Sequence, residues 1–381
     1  MEKKEIKKYI RGVLEFIAAN KYNRTFKNSL KSNKVPDMKL PGEDAWVKKW
    51  TIGGHKPNRV YYRLFAAYTG ENINHVPQDI CHNYIELILD PYRFVGYYAD
   101  KNVFDKLLPT SYMPKTIVRK ITDTYYDDKY QYVSDFDESK LQILTQGTSS
   151  DTLVLKPTVS GMSGRGVEVF RKENKEWRNV LTMETLSVAY LDKYSSGGAN
   201  FILQEGVKQH SYLAQFNPTS VNTLRLSVYR SVKDNKSHVT GAAMRIGRQG
   251  SVVDNACAGG AIVGLSLKEG ILNKSLIDIS GHIIYTFNNI DFSKGDYRIP
   301  YWDKVIAFAE SVCDCLPHCR LFALDICIDE DGNTKLLEFN VEGYNASVFQ
   351  FTTGPAFGDY ADEIIEYCKK KYKDLEHVLY L

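Results

Sequence analysis

Leu321-Phe-Ala-Leu-Asp325-Ile-Cys-Ile-Asp-Glu330-Asp-Gly-Asn-Thr-Lys335-Leu-Leu-Glu338-Phe-Asn340 decides the reading of this chain. Two apolar runs flank Asp331-Gly332, the dipeptide favoured in a tight hairpin turn. With that pair as the turn centre, Glu330 pairs with Asn333. Counting back along both strands then sets Asp325 directly opposite Glu338. Asn340 lies two residues beyond Glu338 and so points to the same face. Two carboxylates facing each other across a ladder repel, so a cation is expected between them. Carboxylates with a side-chain amide are hard oxygen ligands, better suited to magnesium than to zinc. A solvated hairpin face is the plainer alternative, but Leu336-Leu-Glu-Phe-Asn340 embeds its acid in apolar residues.

A chain of 381 residues is long enough for two or three domains and a large core. A net charge of +3 makes no global demand for nucleic acid. No run of about 18 apolar residues offers a membrane span. The opening Met1-Glu-Lys-Lys-Glu-Ile-Lys-Lys8 lacks an apolar core, so no signal peptide is expected. Seven scattered cysteines fit a reducing cytoplasm better than a disulfide framework. Cys313, Cys315, His318 and Cys319 cluster, but not at a common zinc spacing. They read as buried or loop thiols.

Residues 1–34 are basic, with Ile6, Ile10, Val13, Leu14 and Ile17 at helical spacing. Such a helix packs on its own domain or, in the second reading, makes peripheral contact with an anionic membrane surface. Residues 35–58 read as loop, with Trp46 and Trp50 as packing anchors. Residues 59–95 read as helical again. Near residue 100 the pattern turns to short strands at Thr116–Ile121, Thr152–Lys156, Gly166–Arg171, Phe201–Gln204, Thr223–Tyr229, Val239–Ile246, Ala261–Ser266, Leu321–Ile328 and Lys335–Val341. Helices are expected at Thr185–Lys193, Tyr301–Cys313 and about Asp359–Tyr372. The fold class is α+β with mostly antiparallel hairpins.

A second constellation begins at Leu153-Val-Leu-Lys156-Pro157 and runs into Ser160-Gly-Met-Ser-Gly-Arg-Gly166. Three glycines in six residues let backbone N–H groups approach phosphate oxygens. A strand follows rather than a helix, so this is neither a Walker A loop nor a Rossmann turn. It is a hairpin flap, or a plain hairpin loop. The lysine before it favours nucleotide, since Lys serves well as a point charge on phosphate. Arg225 and Arg245 lie inside otherwise apolar strands, where arginine is rarely without a partner. Structural ion pairing and anion binding both fit them.

In this order the elements resemble the ATP-grasp superfamily. They run Asp100-Lys101-Asn102, the Pro114 segment, Leu155-Lys156-Pro157, the glycine loop, Leu203-Gln204-Glu205, Thr223-Leu-Arg225, Asp325, then Glu338-Phe-Asn340. Val76-Pro77, Gln209-His210, Asn217-Pro218, Asn222, Arg245-Ile-Gly247, Asp254-Asn255 and Gly259-Gly260 are similar to the sugar-transfer-associated ATP-grasp family of polysaccharide gene clusters. The resemblance spans about residues 75–355. It implies an ATP-grasp fold of two α+β subdomains clasping ATP, placed at 96–207 and 208–381. The region 1–95 reads as helical where many relatives carry a Rossmann-like domain.

The resemblance also implies a cytoplasmic ATP-dependent carboxylate–amine ligase. Lys101 and Lys156 would contact the α- and β-phosphates. The loop with Ser160, Gly161, Ser163, Gly164 and Gly166 would cover them. Gln204, Glu205 and Val207 would border the adenine. Asp325, Glu338 and Asn340 would bind one or two Mg2+ ions. Arg225 and Arg245 would neutralise charge on the transferring phosphoryl group. The substrates would be a small-molecule or glycan carboxylate, such as a hexuronate, and an amine. A ligase making a peptide-like product and a non-catalytic nucleotide-binding module of a polysaccharide assembly complex are the alternatives.

Overall fold

A computed structural model describes residues 38–159, 166–254, 258–278 and 280–374. The basic segment 1–34 and most of the glycine loop lie outside these residues. The strands are β1 (Thr116–Ile121), β2 (Thr124–Tyr126), β3 (Thr152–Pro157), β4 (Glu168–Glu173), β5 (Glu176–Asn179), β6 (Phe201–Glu205), β7 (Leu224–Arg230) and β8 (Ser237–Ile246). They continue with β9 (Ala261–Leu265), β10 (Leu272–Ile277), β11 (Ile283–Ile284), β12 (Thr286–Phe287), β13 (Ile290–Asp291), β14 (Leu321–Ile328) and β15 (Thr334–Asn340). One antiparallel sheet has the order β2-β1-β6-β3-β4-β5, and a second has the order β11-β10-β9-β8-β7-β14-β15. The fold is therefore α+β, with helices laid on antiparallel sheets.

The period of two in the strands decides what each face meets. Strands β7 and β14 are buried along their whole length, so both faces of the large sheet are covered at its centre. On one face Leu224, Leu226, Val228, Leu324 and Ile326 pack with Val305, Ala309 and Val312 of the helix Trp302–Asp314. On the other face Tyr229, Leu321 and Ala323 share a core with Trp46, Trp50, Tyr61 and Phe65. Ile364 and Ile365, from the helix Ala361–Lys371, join the same core. The smaller sheet has its own core, where Leu153, Leu155, Phe170 and Leu203 meet Leu141 and Leu191.

The N-terminal helices thus cover only part of that second face. Arg225 and Asp325 follow Ser227 and Ala323 by one pleat on the same side, where charged groups replace the apolar cover.

Two expectations for the elements need correction. Residues 43–50 are not loop but a helix, Glu43–Trp50, with acids in its first turn and lysines in its last. That charge order suits the helix dipole; Pro41-Gly42 and Gly53-Gly54 disguise it because they punctuate both ends. Trp46 and Trp50 do anchor it, donating through Nε1 to the carbonyls of His75 (2.6 Å) and Ile73 (2.9 Å). The helix expected from Thr185 instead covers Val188–Tyr194. Thr185 and Leu186 stay extended against β5, and Ser187 caps the helix through its hydroxyl. The cysteines near 315 are dispersed as thiols: Cys313 and Cys319 are buried and Cys315 is exposed. His318 is bonded to the Tyr98 hydroxyl at 2.9 Å.

Candidate active site

The β14–β15 hairpin builds the carboxylate pair by a different route from the expected one. The turn is not centred on Asp331-Gly332 alone. Asp329 N–H donates to the Asn333 carbonyl (2.9 Å) and Gly332 N–H to the Asp329 carbonyl (3.0 Å). Three residues therefore connect the strands, with Gly332 at φ +82° in the left-handed region that favours glycine. From this start the register runs Ile328↔Thr334 to Ile326↔Leu336. A bulge at Leu337 then adds one residue to β15, and Asp325 does face Glu338. The longer turn and the bulge offset each other. Asn340 lies opposite Ala323 and its amide donates to the Ala323 carbonyl at 3.2 Å.

The expected mutual repulsion of the two acids is overturned by their neighbours. Asp325 pairs in register with Arg225 on β7. Its Oδ2 accepts from Arg225 Nη1 at 2.9 Å and from Arg245 Nη1 at 3.2 Å. Burial alone would raise the Asp325 carboxyl, but the two guanidiniums outweigh it and hold it below the usual range. Glu338 Oε1 lies 3.0 Å from Lys101 Nζ. Each acid therefore has its own cation among the described residues.

Lys101 opens a short 3-10 turn capped by Asp100, whose carboxylate accepts from Asn102 N–H at 2.9 Å. Its own N–H donates to the Thr158 carbonyl (3.1 Å), which ties the turn to the base of the glycine loop. From β3, Lys156 Nζ donates to the Leu337 carbonyl at 3.3 Å, the carbonyl that belongs to the bulged residue. Burial first, then the charge of Lys101, push the Lys156 ammonium down to about 8. Two lysines from the small sheet's side thus reach β15 of the large sheet.

These lysines border a cavity of about 980 Å³ between the sheets. Gln204, Glu205, Val207 and Leu336 also line it. The Gln204 and Glu205 side chains are turned into the protein. Gln204 Nε2 donates to the Pro114 carbonyl (3.2 Å) and Thr116 Oγ1 (3.3 Å). Glu205 accepts from Ser149 Oγ (2.9 Å) and sits 3.4 Å from Lys115 Nζ. Arg225, Arg245, Asp325, Glu338 and Asn340 do not line the cavity; they adjoin it through the Lys101–Glu338 pair. Strands β3 and β4 do form a hairpin around the glycine loop. Ser160, Gly161, Ser163 and Gly164 lie outside the described residues. Gly166, at φ +76°, offers its carbonyl to the Tyr194 hydroxyl at 2.6 Å.

Asp254 and Gln209 stand in the sequence motifs without a role there, and the structure gives them one. Asp254 Oδ2 accepts from Thr223 N–H (3.0 Å) and from its hydroxyl, one residue before β7. Burial raises this carboxyl against the pull of Arg245. Charges alternate along Asp254, Arg245, Asp325 and Arg225. Gln209 is a clamp: its Oε1 accepts from Asn222 N and Nδ2, both at 3.0 Å, and its Nε2 donates to the carbonyls of Asn217 (2.9 Å) and Ser220 (2.7 Å). That motif holds the chain entering β7 and hence Arg225.

The donor set fits magnesium. Asp325 Oδ1 is buried with no hydrogen-bond partner among the described residues, a costly state that a cation would relieve. Glu338 and the Asn340 amide oxygen complete a set of hard oxygens on one face. Among the described residues no group of three or more His, Cys, Asp or Glu could hold a metal alone. Magnesium characteristically fills its shell with water and substrate phosphates instead.

Solved structures resemble the chain at low identity. D-cycloserine synthetase matches with a TM-score of 0.42 and 12% identity, over 74% of this chain and 73% of that one. D-alanine–D-alanine ligase from Bacillus anthracis gives 0.38 and 14%, over 73% and 69%. The biotin carboxylase domain of 2-oxoglutarate carboxylase from Hydrogenobacter thermophilus gives 0.41 and 12%, over 74% and 47%, so the chain spans about half that relative's length. No curated protein matches the sequence. No helix among the described residues is long and apolar enough to cross a membrane. Residues 81–364 match the model of the sugar-transfer associated ATP-grasp family, and the chain belongs to that family.

Proposed function

We propose that the protein is a cytoplasmic, ADP-forming carboxylate–amine ligase acting on a sugar acid or glycan precursor. The observation that carries this reading is the convergence of Lys101, Lys156 and Glu338 beside the Arg225–Asp325–Arg245 triad. In the reaction a carboxylate oxygen attacks the γ-phosphorus of ATP and ADP leaves. The amine nitrogen then attacks the acyl carbon, phosphate departs and the nitrogen loses a proton.

Lys101 and Lys156 would hold the nucleotide phosphates as point charges. Asp325, Glu338 and Asn340 would hold magnesium, which supplies charge neutralisation at the phosphate oxygens. For Lys101 this means exchanging Glu338 for phosphate. Arg225 and Arg245 would face the charge that develops during transfer, in a site where preorganised donors are most effective. The family's association with sugar transfer supports a saccharide substrate.

One observation favours the non-catalytic module instead: Asp325 already engages both arginines, which a purely structural triad would also do. Screening amino acids against uronic acids with magnesium-ATP separates the two. The ligase reading expects ADP and phosphate in equal amounts, dependent on both co-substrates. AMP as the stoichiometric product, or no turnover with any pair, would overturn it.

A further inference from the structure

A second hollow of about 500 Å³ lies on the large sheet away from the lysines. It falls in the roughly 300–1,000 Å³ range of small-molecule pockets. Its walls include Asn72 and Asn74 after the helix Arg59–Thr69, Thr240 on β8, Asn273 on β10, and Thr352 and Thr353 after the helix Ser347–Gln350. Among the described residues no lysine or arginine lines it, and Asp359 is the one charged lining residue.

The polar groups are set to meet hydroxyls. Thr352 Oγ1 donates to the Val348 carbonyl (2.9 Å), Thr353 Oγ1 to the Phe349 carbonyl (3.2 Å) and Thr240 Oγ1 to the Ala356 carbonyl (2.9 Å). Thr352 and Thr353 commit their hydroxyl protons and keep their oxygens to accept, whereas the buried Thr240 Oγ1 also meets Ser227 Oγ at 2.5 Å and is already engaged. Asn72 and Asn74 use their carbonyl oxygens on Asn74 N–H (2.9 Å) and Lys49 Nζ (2.5 Å), which leaves their amide groups to donate. Asn273 donates its amide to the Thr352 carbonyl (2.5 Å) and keeps its oxygen. A ring of donors and acceptors beside Leu265, Leu267 and Pro355 suits a ligand that is polar at its edges and apolar on its C–H faces.

Its place in the sheet is also defined. Gly264 lies opposite Ala243, Ala243 opposite Arg225, and Arg225 opposite Asp325. A side chain at Gly264 would come within 2.6 Å of Asn273 and 2.7 Å of Thr353, so glycine is what lets those residues close over this strand. Two strand spacings put Gly264 about 10 Å from Arg225 in the same cross-strand row.

We propose that this hollow binds one uncharged, polyhydroxylated ring, a neutral hexose or N-acetylated hexosamine unit. Asp359, with no lysine or arginine among the described lining residues and the nearby Lys49 already paired with Asp362, disfavours a uronate or sugar phosphate here and leaves the anionic group to the arginine cluster. The binding stands on the hollow's own chemistry; its service to catalysis rests on the ligase reading above.

Saturation-transfer NMR and calorimetry on the full chain, without nucleotide, test it. Methyl glucoside, methyl galactoside and N-acetylglucosamine are compared with glucuronate and glucose 6-phosphate. At least one neutral ring should bind, with the anionic sugars at least about tenfold weaker. Asn72→Ala and Thr353→Val, both at exposed positions, should each weaken it several-fold while magnesium-ATP affinity and the melting temperature hold. No saturation transfer to any neutral ring, equal binding of the anionic sugars, or binding unaffected by both substitutions would overturn the site. Neutral-ring binding without ATP turnover would keep the site and remove the ligase reading. Turnover of a sugar acid without neutral-ring binding would do the reverse.

Discussion

Lys101 Nζ lies 3.0 Å from Glu338 Oε1, so the carboxylate proposed for magnesium is held by the lysine proposed for phosphate. The pair spans the cleft between the two sheets. Binding magnesium-ATP would exchange partners on both sides: Glu338 takes the cation and Lys101 takes phosphate. Glu338→Gln removes the acid from both arrangements. Turnover should fall by about 10²-fold or more. The metal-free protein should not gain stability, because the residue lost was balancing a buried lysine rather than repelling Asp325. A melting temperature raised by several degrees, or near wild-type turnover, would refute this.

Lys156 carries a pH signature. Its ammonium is pushed down to about 8 from an ordinary 10.5, by burial and then by Lys101. Between those two values the unfolded chain binds the proton and the folded chain does not. Stability from this group is therefore lowest below about pH 8 and rises as pH climbs toward 10.5. Lys156→Met should remove that rise and stabilise the nucleotide-free protein near neutrality, while weakening ATP binding. Nucleotide phosphate beside Lys156 should restore its proton, so calorimetry near pH 8 in buffers of different ionisation enthalpy should detect proton uptake on binding. Uptake unchanged in Lys156→Met would assign it elsewhere.

Much of this was legible in local pattern. Apolar strands interrupted by Arg225, Arg245, Asp325 and Glu338 announce themselves, because a charge in a buried strand needs a partner. The partners themselves did not. Asp325 meets Arg225 across β7 and Arg245 from β8, contacts fixed by strand order rather than by spacing. A two-residue turn at Asp331-Gly332 predicts the Asp325–Glu338 pairing, and the pairing holds although the turn is one residue longer. The Leu337 bulge restored the count, and Leu336-Leu337 holds neither glycine nor proline to signal it. The helix Glu43–Trp50 was hidden for the opposite reason. Its flanking Pro and Gly are strong loop signals, and eight residues give too little periodicity to outweigh them.

The helical N-terminal residues should melt with the large sheet. Trp46 is fully buried in the core that also holds Tyr229, Leu321 and Ala323. Trp46→Ala removes that ring and the bond to the His75 carbonyl, at a cost of about 3–5 kcal/mol. The midpoint should drop by about 4–6 °C. Far-ultraviolet circular dichroism and tryptophan fluorescence should shift together, as one transition. An early transition confined to helix signal would separate these helices from the sheet they cover.

Arg225 joins stability to chemistry, so its removal should be read in both. Arg225→Ala takes one of two guanidiniums from the buried Asp325 carboxylate. Losing a partner from a buried pair costs about 3–5 kcal/mol, and the remaining Arg245 should hold this substitution toward the lower end. The sign with pH follows from Asp325, whose folded pKa is depressed. Its stabilisation is fully present above the ordinary carboxylate value of about 3.9 and is lost as pH falls through the lower folded value. With one arginine gone the depression shrinks, so the acid limb of the stability curve should move to higher pH. At neutral pH turnover should fall by about 10²-fold or more, with a smaller change in ATP affinity. Arg225→Lys keeps the charge but not the planar fork, so it should recover stability better than turnover. Equal recovery of both by lysine would reduce Arg225 to a structural counter-ion and move the phosphoryl-facing role to Arg245.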